Sequence, residues 1–148
     1  MSIPGLSLGL RQDTAYIYIW VMKSCQAVYI GQTNCRYGVL GRAGQHVLPQ
    51  GTLRQRLEEW GYDLDRVDDS ILLSFPLPRE PRFLGVDSAY REAVEYHVQV
   101  KLQKERVKCF PPFCIISHVS CTYPIEYTSI EMIADQIVLQ FIAVYPLL

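Results

Sequence analysis

The sequence predicts a single α+β domain: a small, mainly antiparallel sheet of three core strands flanked by helices, with an extra strand and helix at the C-terminal end. Three observations predict it. Two apolar runs that each carry tyrosine, at 14–23 and 27–33, are separated by one short polar interval, as in a hairpin. A third short apolar run follows at 70–75, after an acidic loop. Two long segments, 88–105 and 129–144, carry apolar residues at helical spacing. At 148 residues, one domain of this kind can bury a real core.

Residues 1–13 are rich in Gly, Ser and Leu without a clear period, and are read as an N-terminal arm packed on the body. The strand at 14–23 returns through the strand at 27–33. A two-residue turn at Cys25-Gln26 would place Tyr29 opposite Met22. Tyr18 and Tyr29 then share a face but stand four residues apart, roughly 13 Å at the rise of a strand. A helix over 37–47 puts Arg42 and His46 at i and i+4, on one side. Pro49, Gln50 and Gly51 break the chain. Thr52 is placed to cap a second helix over 53–60, ending at Gly61. The Ile-Leu-Leu run inside 70–75 predicts a central, buried strand.

Pro76, Pro78 and Pro81 make the next stretch a stiff loop. Asp87 or Ser88 caps the helix through Glu105, whose apolar stripe is Tyr90, Val94, His97, Val98 and Leu102. At about 100° per residue, Glu95 falls on the edge of that stripe and Glu92 on the solvent face. His97 lies within the stripe and reads as a packed histidine. A strand over 114–121 follows Pro111-Pro112. A Thr128-x-x-Glu131 capping box opens the last helix, where Ile130, Ile133, Ile137, Val138 and Phe141 mark the inner face. So apolar a helix is either enclosed or meets a partner subunit, which makes a homodimer through this helix an expectation. Glu131, Asp135, Gln136 and Gln140 interrupt it, so no membrane span is expected. The domain body is 14–113, with 114–148 packed on it.

Net charge is −1, which argues against general adhesion to nucleic acid, but the charge is unevenly placed. No acidic residue occurs from 14 to 57, where Lys23, Arg36, Arg42, Arg54 and Arg56 are basic. Such a segment can present a phosphate-attracting face despite the overall balance. Five cysteines, an odd number and mostly in apolar runs, point to a reducing, cytoplasmic compartment. Cys109, Cys114, His118 and Cys121 are conceivable zinc ligands, but they lack the usual Cys-x-x-Cys spacing.

Tyr16-Ile17-Tyr18, then Tyr29-Ile30-Gly31, then Arg42 with His46 four residues on, then Glu95 between Val94 and Val98, resemble the GIY-YIG nuclease superfamily over most of the chain. Tyr16 stands where the family usually has glycine. Cys114 follows Pro112-Phe113 where the family has asparagine, and Asn34 is the only asparagine in the chain. The resemblance implies a metal-dependent DNA endonuclease using Mg²⁺ or Mn²⁺. Glu95 would hold the metal, and Tyr18, Tyr29, Arg42 and His46 would complete the catalytic set. Lys23, Arg36, Arg42, Arg54 and Arg56 would contact phosphate. The chemistry suits these residue types. A carboxylate binds a hard cation, and an arginine fork binds phosphate oxygens. A tyrosine whose pKa is lowered by nearby positive charge can take a proton from water. Restriction, phage and mobile-element settings are all associated with the family. Two other readings stand beside it: a nucleic-acid-binding module on the same fold that no longer cuts, and an oligomeric scaffold built on the last helix.

Overall fold

The computed structural model describes residues 13–120 and 127–148; the arm over 1–12 and Cys121 lie outside them. A hairpin of β1 (Tyr16–Met22) and β2 (Ala27–Thr33) forms the middle of a four-stranded mixed sheet. The order is β3-β1-β2-β4, with β3 (Ser70–Pro76) antiparallel to β1 and β4 (Cys114–Ile115) parallel to β2.

The hairpin closes two residues wider than the sequence predicts. Gln26 takes the left-handed conformation at φ 49°, and its N–H donates to Lys23 O at 3.0 Å, so the turn is Lys23 to Gln26. Asp69 anchors the turn by accepting from Ser24 Oγ at 2.9 Å. Met22 therefore pairs with Ala27, and Tyr29 faces Trp20 rather than Met22. A shift of two keeps every side chain on its expected face. It also brings Tyr29 two residues closer to Tyr18, whose own partner is Gly31.

Both sheet faces are covered, which is why all seven residues of β1 are buried. Tyr16, Tyr18, Trp20, Met22 and Tyr29 point into one core layer with Val39 of α1 (Gly38–Val47) and with Leu53 and Leu57 of α2 (Thr52–Glu59). Ile17, Ile19, Val21, Val28 and Ile30 point into the other. That layer is closed by Val94, Val98 and Leu102 of α4 (Ala89–Glu105) and by Ile130, Ala134, Ile137, Val138 and Phe141 of α5 (Tyr127–Val144). The short α3 (Pro81–Leu84) adds Phe83 to the same layer. By length and composition α5 could cross a bilayer, but its inner face belongs to this core. Met132 and Leu139 remain exposed on its outer face.

Four further expectations are corrected. β3 lies at the sheet edge instead of the centre; Leu73, Ser74 and Phe75 are buried by the layers above and below it, not by strands on both sides. The strand expected over 114–121 is only two residues long. Ile116 N–H still donates to Val28 O at 2.9 Å, but at the next position Ile30 N–H is taken by the Ser117 side chain, and the backbone leaves the ladder. Thr52 is already helical and Gly51 is the N-cap of α2, with no side-chain cap of its own. Thr128 likewise falls inside α5 instead of capping it.

Candidate functional site

The face of the hairpin turned toward α1 and α2 gathers four of the predicted side chains. Tyr18 and Tyr29 are diagonal cross-strand neighbours, an arrangement that brings long side chains within reach of each other. Tyr18 lies flat across its partner: a Cβ on Gly31 would come within 2.2 Å of the Tyr18 ring and hydroxyl. The glycine after Tyr29-Ile30 is therefore the space that Tyr18 occupies.

His46, in the last turn of α1, reaches down to both phenols. Its Nε2 is hydrogen bonded to the Tyr18 hydroxyl. Its ring meets Tyr18 edge-on at 5.6 Å between centroids and Tyr29 at 5.2 Å. On the other side of the ring, Nδ1 accepts from Leu53 N–H at 3.4 Å. Arg42, one turn earlier on α1, is half-buried and donates to Gln45 Oε1 at 2.7 Å.

Glu95 comes from α4, on the far side of the sheet. Its charge acts on both phenols. Two polar ties hold α4 against β2 on either side of Glu95. Arg91 Nε donates to Gln32 Oε1 at 2.9 Å. Ser117 Oγ donates to Gln99 Oε1 at 3.2 Å while accepting from Ile30 N–H at 3.1 Å. Arg91, Glu95 and Gln99 follow one another at i, i+4 and i+8 on one side of the helix. Glu95 is 9% exposed, and no described side chain donates a hydrogen bond to its carboxylate.

Burial dominates the electrostatics of this group. It pushes the Tyr18 phenol well above its ordinary range, helped by the charge of Tyr29 and opposed by Arg42. Burial, then the charge of Glu95, raise Tyr29 to about 12. Burial and the Arg42 charge lower His46 to about 4, so the imidazole is neutral at pH 7. Glu95 is raised to about 8 by burial and by Glu92, with Arg42 opposing. An ionised Glu95 is thus a buried anion without enough positive charge around it.

The predicted phosphate contacts are scattered. Arg42 acts on both phenols and the charge of Arg56 reaches Tyr29, while Arg36 is exposed in the connection between β2 and α1. Lys23 is exposed in the hairpin turn, at the opposite end of β1 from Tyr16. Arg54 is held in a two-pronged pair with Asp65 at 2.8 and 3.0 Å, and Arg56 pairs with Glu59 at 2.8 Å. The conceivable zinc set is not gathered: among the described residues no group of three or more His, Cys, Asp or Glu could hold a metal. Cys121 lies outside them. Cys25, Cys35, Cys109 and Cys114 are free thiols.

The sequence reading missed three contributors. Gly51 was taken only as a break; a Cβ there would lie 2.1 Å from His46 O, so only glycine lets α2 begin against the end of α1. Gln99 and Arg91 were passed over as ordinary helix residues, although their spacing from Glu95 is a readable signal. Asn34, in the loop after β2, donates to Leu84 O and Gly85 O at 3.2 and 2.9 Å and serves that loop.

Comparison of the chain with protein-family models, with curated proteins and with solved structures returned no match. The functional reading therefore rests on the residues and their geometry.

Proposed function

We propose that this chain is a metal-dependent DNA endonuclease of GIY-YIG type. The observation that carries the reading is the gathering of two phenols, an imidazole and a guanidinium on one face of the hairpin, with the buried carboxylate of Glu95, from the far side of the sheet, acting electrostatically on both phenols. Glu95 suits a hard divalent cation such as Mg²⁺ or Mn²⁺. Its carboxylate lacks a donor among the described residues, and burial, then the charge of Glu92, raise its proton affinity, so a bound cation would stabilise the ionised form. A single carboxylate is enough for an ion that keeps several waters and shares substrate phosphate oxygens. When bound, that ion would supply Lewis acidity at the phosphate and positive charge that lowers the neighbouring phenols.

The chain's own residues then have separate tasks. Arg42 offers paired donors to the non-bridging phosphate oxygens. Tyr18, as phenolate, takes a proton from the attacking water. The water oxygen forms its bond to phosphorus as the bond from phosphorus to the departing sugar oxygen breaks, and that oxygen is protonated from solvent. Tyr29, beside Tyr18 and His46, orients the water or the phosphate. The exposed Arg36 would contribute to steering the phosphate backbone. The exposed Met132 and Leu139 of α5 would supply the contact of a homodimer.

A second reading is favoured by one observation. Cys114, which follows Pro112-Phe113 where the family carries asparagine, pairs with Ala27, four residues along β2 from Gly31. That is roughly 13 Å away at the rise of a strand. A fold that lacks this group would bind DNA without cutting it. Cleavage of supercoiled plasmid in Mg²⁺, Mn²⁺ or EDTA, beside Glu95→Ala, separates the two. Metal-dependent nicking lost in the variant supports the nuclease; binding retained in EDTA with no cleavage of varied DNAs supports the module.

A further inference from the structure

We infer that the N-terminus of α2 fixes His46 in the tautomer protonated on Nε2, so that His46 is a hydrogen-bond donor to Tyr18 and a positioning residue, not a base. The consequence for catalysis rests on the nuclease reading above; the hydrogen-bond geometry does not.

The argument begins at the helix cap. The first N–H groups of a helix have no partner within it, and an N-cap side chain normally accepts one of them. Gly51 has no side chain to do so. The Leu53 N–H, at the second helical position, is directed instead at His46 Nδ1 at 3.4 Å. Gly51 N–H donates to Leu48 O at 2.8 Å, closing the short loop that folds α2 back onto the end of α1. The absence of a Cβ lets Gly51 lie against the His46 carbonyl, so backbone and ring are located by the same contact.

A backbone N–H can only donate. Nδ1 must therefore present its lone pair, and a neutral imidazole then carries its proton on Nε2. Nε2 is the atom bonded to the Tyr18 hydroxyl, so the Tyr18 oxygen accepts. A donor aimed at this oxygen favours phenolate over phenol, because the anion is the stronger acceptor. Among the described residues Tyr29 receives no such bond; it meets the same imidazole only by ring contact. The tautomer adds to the Arg42 side-chain hydrogen bond that Tyr18 receives and Tyr29 does not, and with it assigns the proton-accepting role to Tyr18. It also bars His46 from taking Tyr18's proton at Nε2, since that position is already occupied.

The test uses full-length, metal-free protein labelled with ¹⁵N-histidine, with His46 assigned by its absence in His46→Gln. Long-range ¹H–¹⁵N correlation at neutral pH should find Nε2 protonated and Nδ1 bare. The Leu53 amide proton should shift upfield in His46→Leu. A His46 protonated on Nδ1 would overturn the inference, as would an unmoved Leu53 amide. This arm needs no turnover, so it decides the inference whether or not the nuclease reading survives. In the cleavage assay, His46→Gln keeps a donor near the Nε2 position and should retain kcat within about tenfold. His46→Leu should lose about a hundredfold, with KM changed little in either. Equal losses in kcat would show that His46 is merely structural and would overturn the donor role.

Discussion

Replacing Glu95 by glutamine should make the metal-free protein more stable and, on the proposed nuclease reading, abolish cleavage. The folded state holds this carboxyl at about 8 against 4.5 when free, chiefly through burial. Each tenfold change in proton affinity is worth about 1.4 kcal/mol, which bounds the effect at about 5 kcal/mol. Relaxation of the protein around the buried carboxyl reduces that to about 2 kcal/mol. The sign follows from the raised value. Glu95 carries no penalty below about pH 4.5, and the penalty grows as pH rises toward 8. Thermal melts in EDTA should therefore show Glu95→Gln several degrees above wild type at pH 8, with the gap narrowing toward pH 5. At tenfold excess over its dissociation constant, Mg²⁺ should return about 1.4 kcal/mol to wild type and nothing to the variant. A variant less stable than wild type at pH 8 without metal would refute the reasoning, because Glu95 would then have an internal partner.

Gly31→Ala places a Cβ within 2.2 Å of the Tyr18 ring; displacing Tyr18 should cost about 2 kcal/mol in denaturant unfolding and remove cleavage. Lowered to about 4 from 6.5, His46 contributes stability that is complete above about pH 6.5 and is lost as pH falls toward 4. Measured against His46→Gln in the Glu95→Gln background, where the opposing titration is gone, the loss should be about 1–2 kcal/mol after allowance for solvent screening. Tyr18→Phe should lower kcat by about a thousandfold with KM little changed, and Tyr29→Phe by less; equal losses would contradict the assignment of Tyr18 as proton acceptor. Leu139→Lys should convert a dimer to a monomer in sedimentation velocity at unchanged helix content, if the exposed side of α5 is the contact.

The parts of this molecule that obey a simple period were readable from sequence. Period-two alternation put Tyr18 and Tyr29 on one face, and the 100° step put Glu95 at the edge of the α4 stripe. Register was not readable, because it depends on where the turn closes, and the left-handed Gln26 moves that point by two residues. The edge position of β3 and the parallel pairing of β4 are long-range choices that local pattern does not encode. The burial of Glu95 was hidden for a related reason. A stripe-edge residue is exposed or enclosed according to what stands opposite, and here α4 is tied down on β2 and the loop after β4 on either side of Glu95. Gly51 does lie in the break between α1 and α2, as a glycine after proline and glutamine suggests, but its packing role is not written in local sequence. Its work is done against the His46 carbonyl, five residues back.

The most direct test of the central claim is cleavage of pooled genomic DNA of mixed sequence by wild type and Tyr18→Phe in Mg²⁺, Mn²⁺ and EDTA, with the ends mapped. The account predicts fragments that appear only with wild type and divalent metal. Intact DNA across the whole pool, with metal-independent binding preserved, would contradict it.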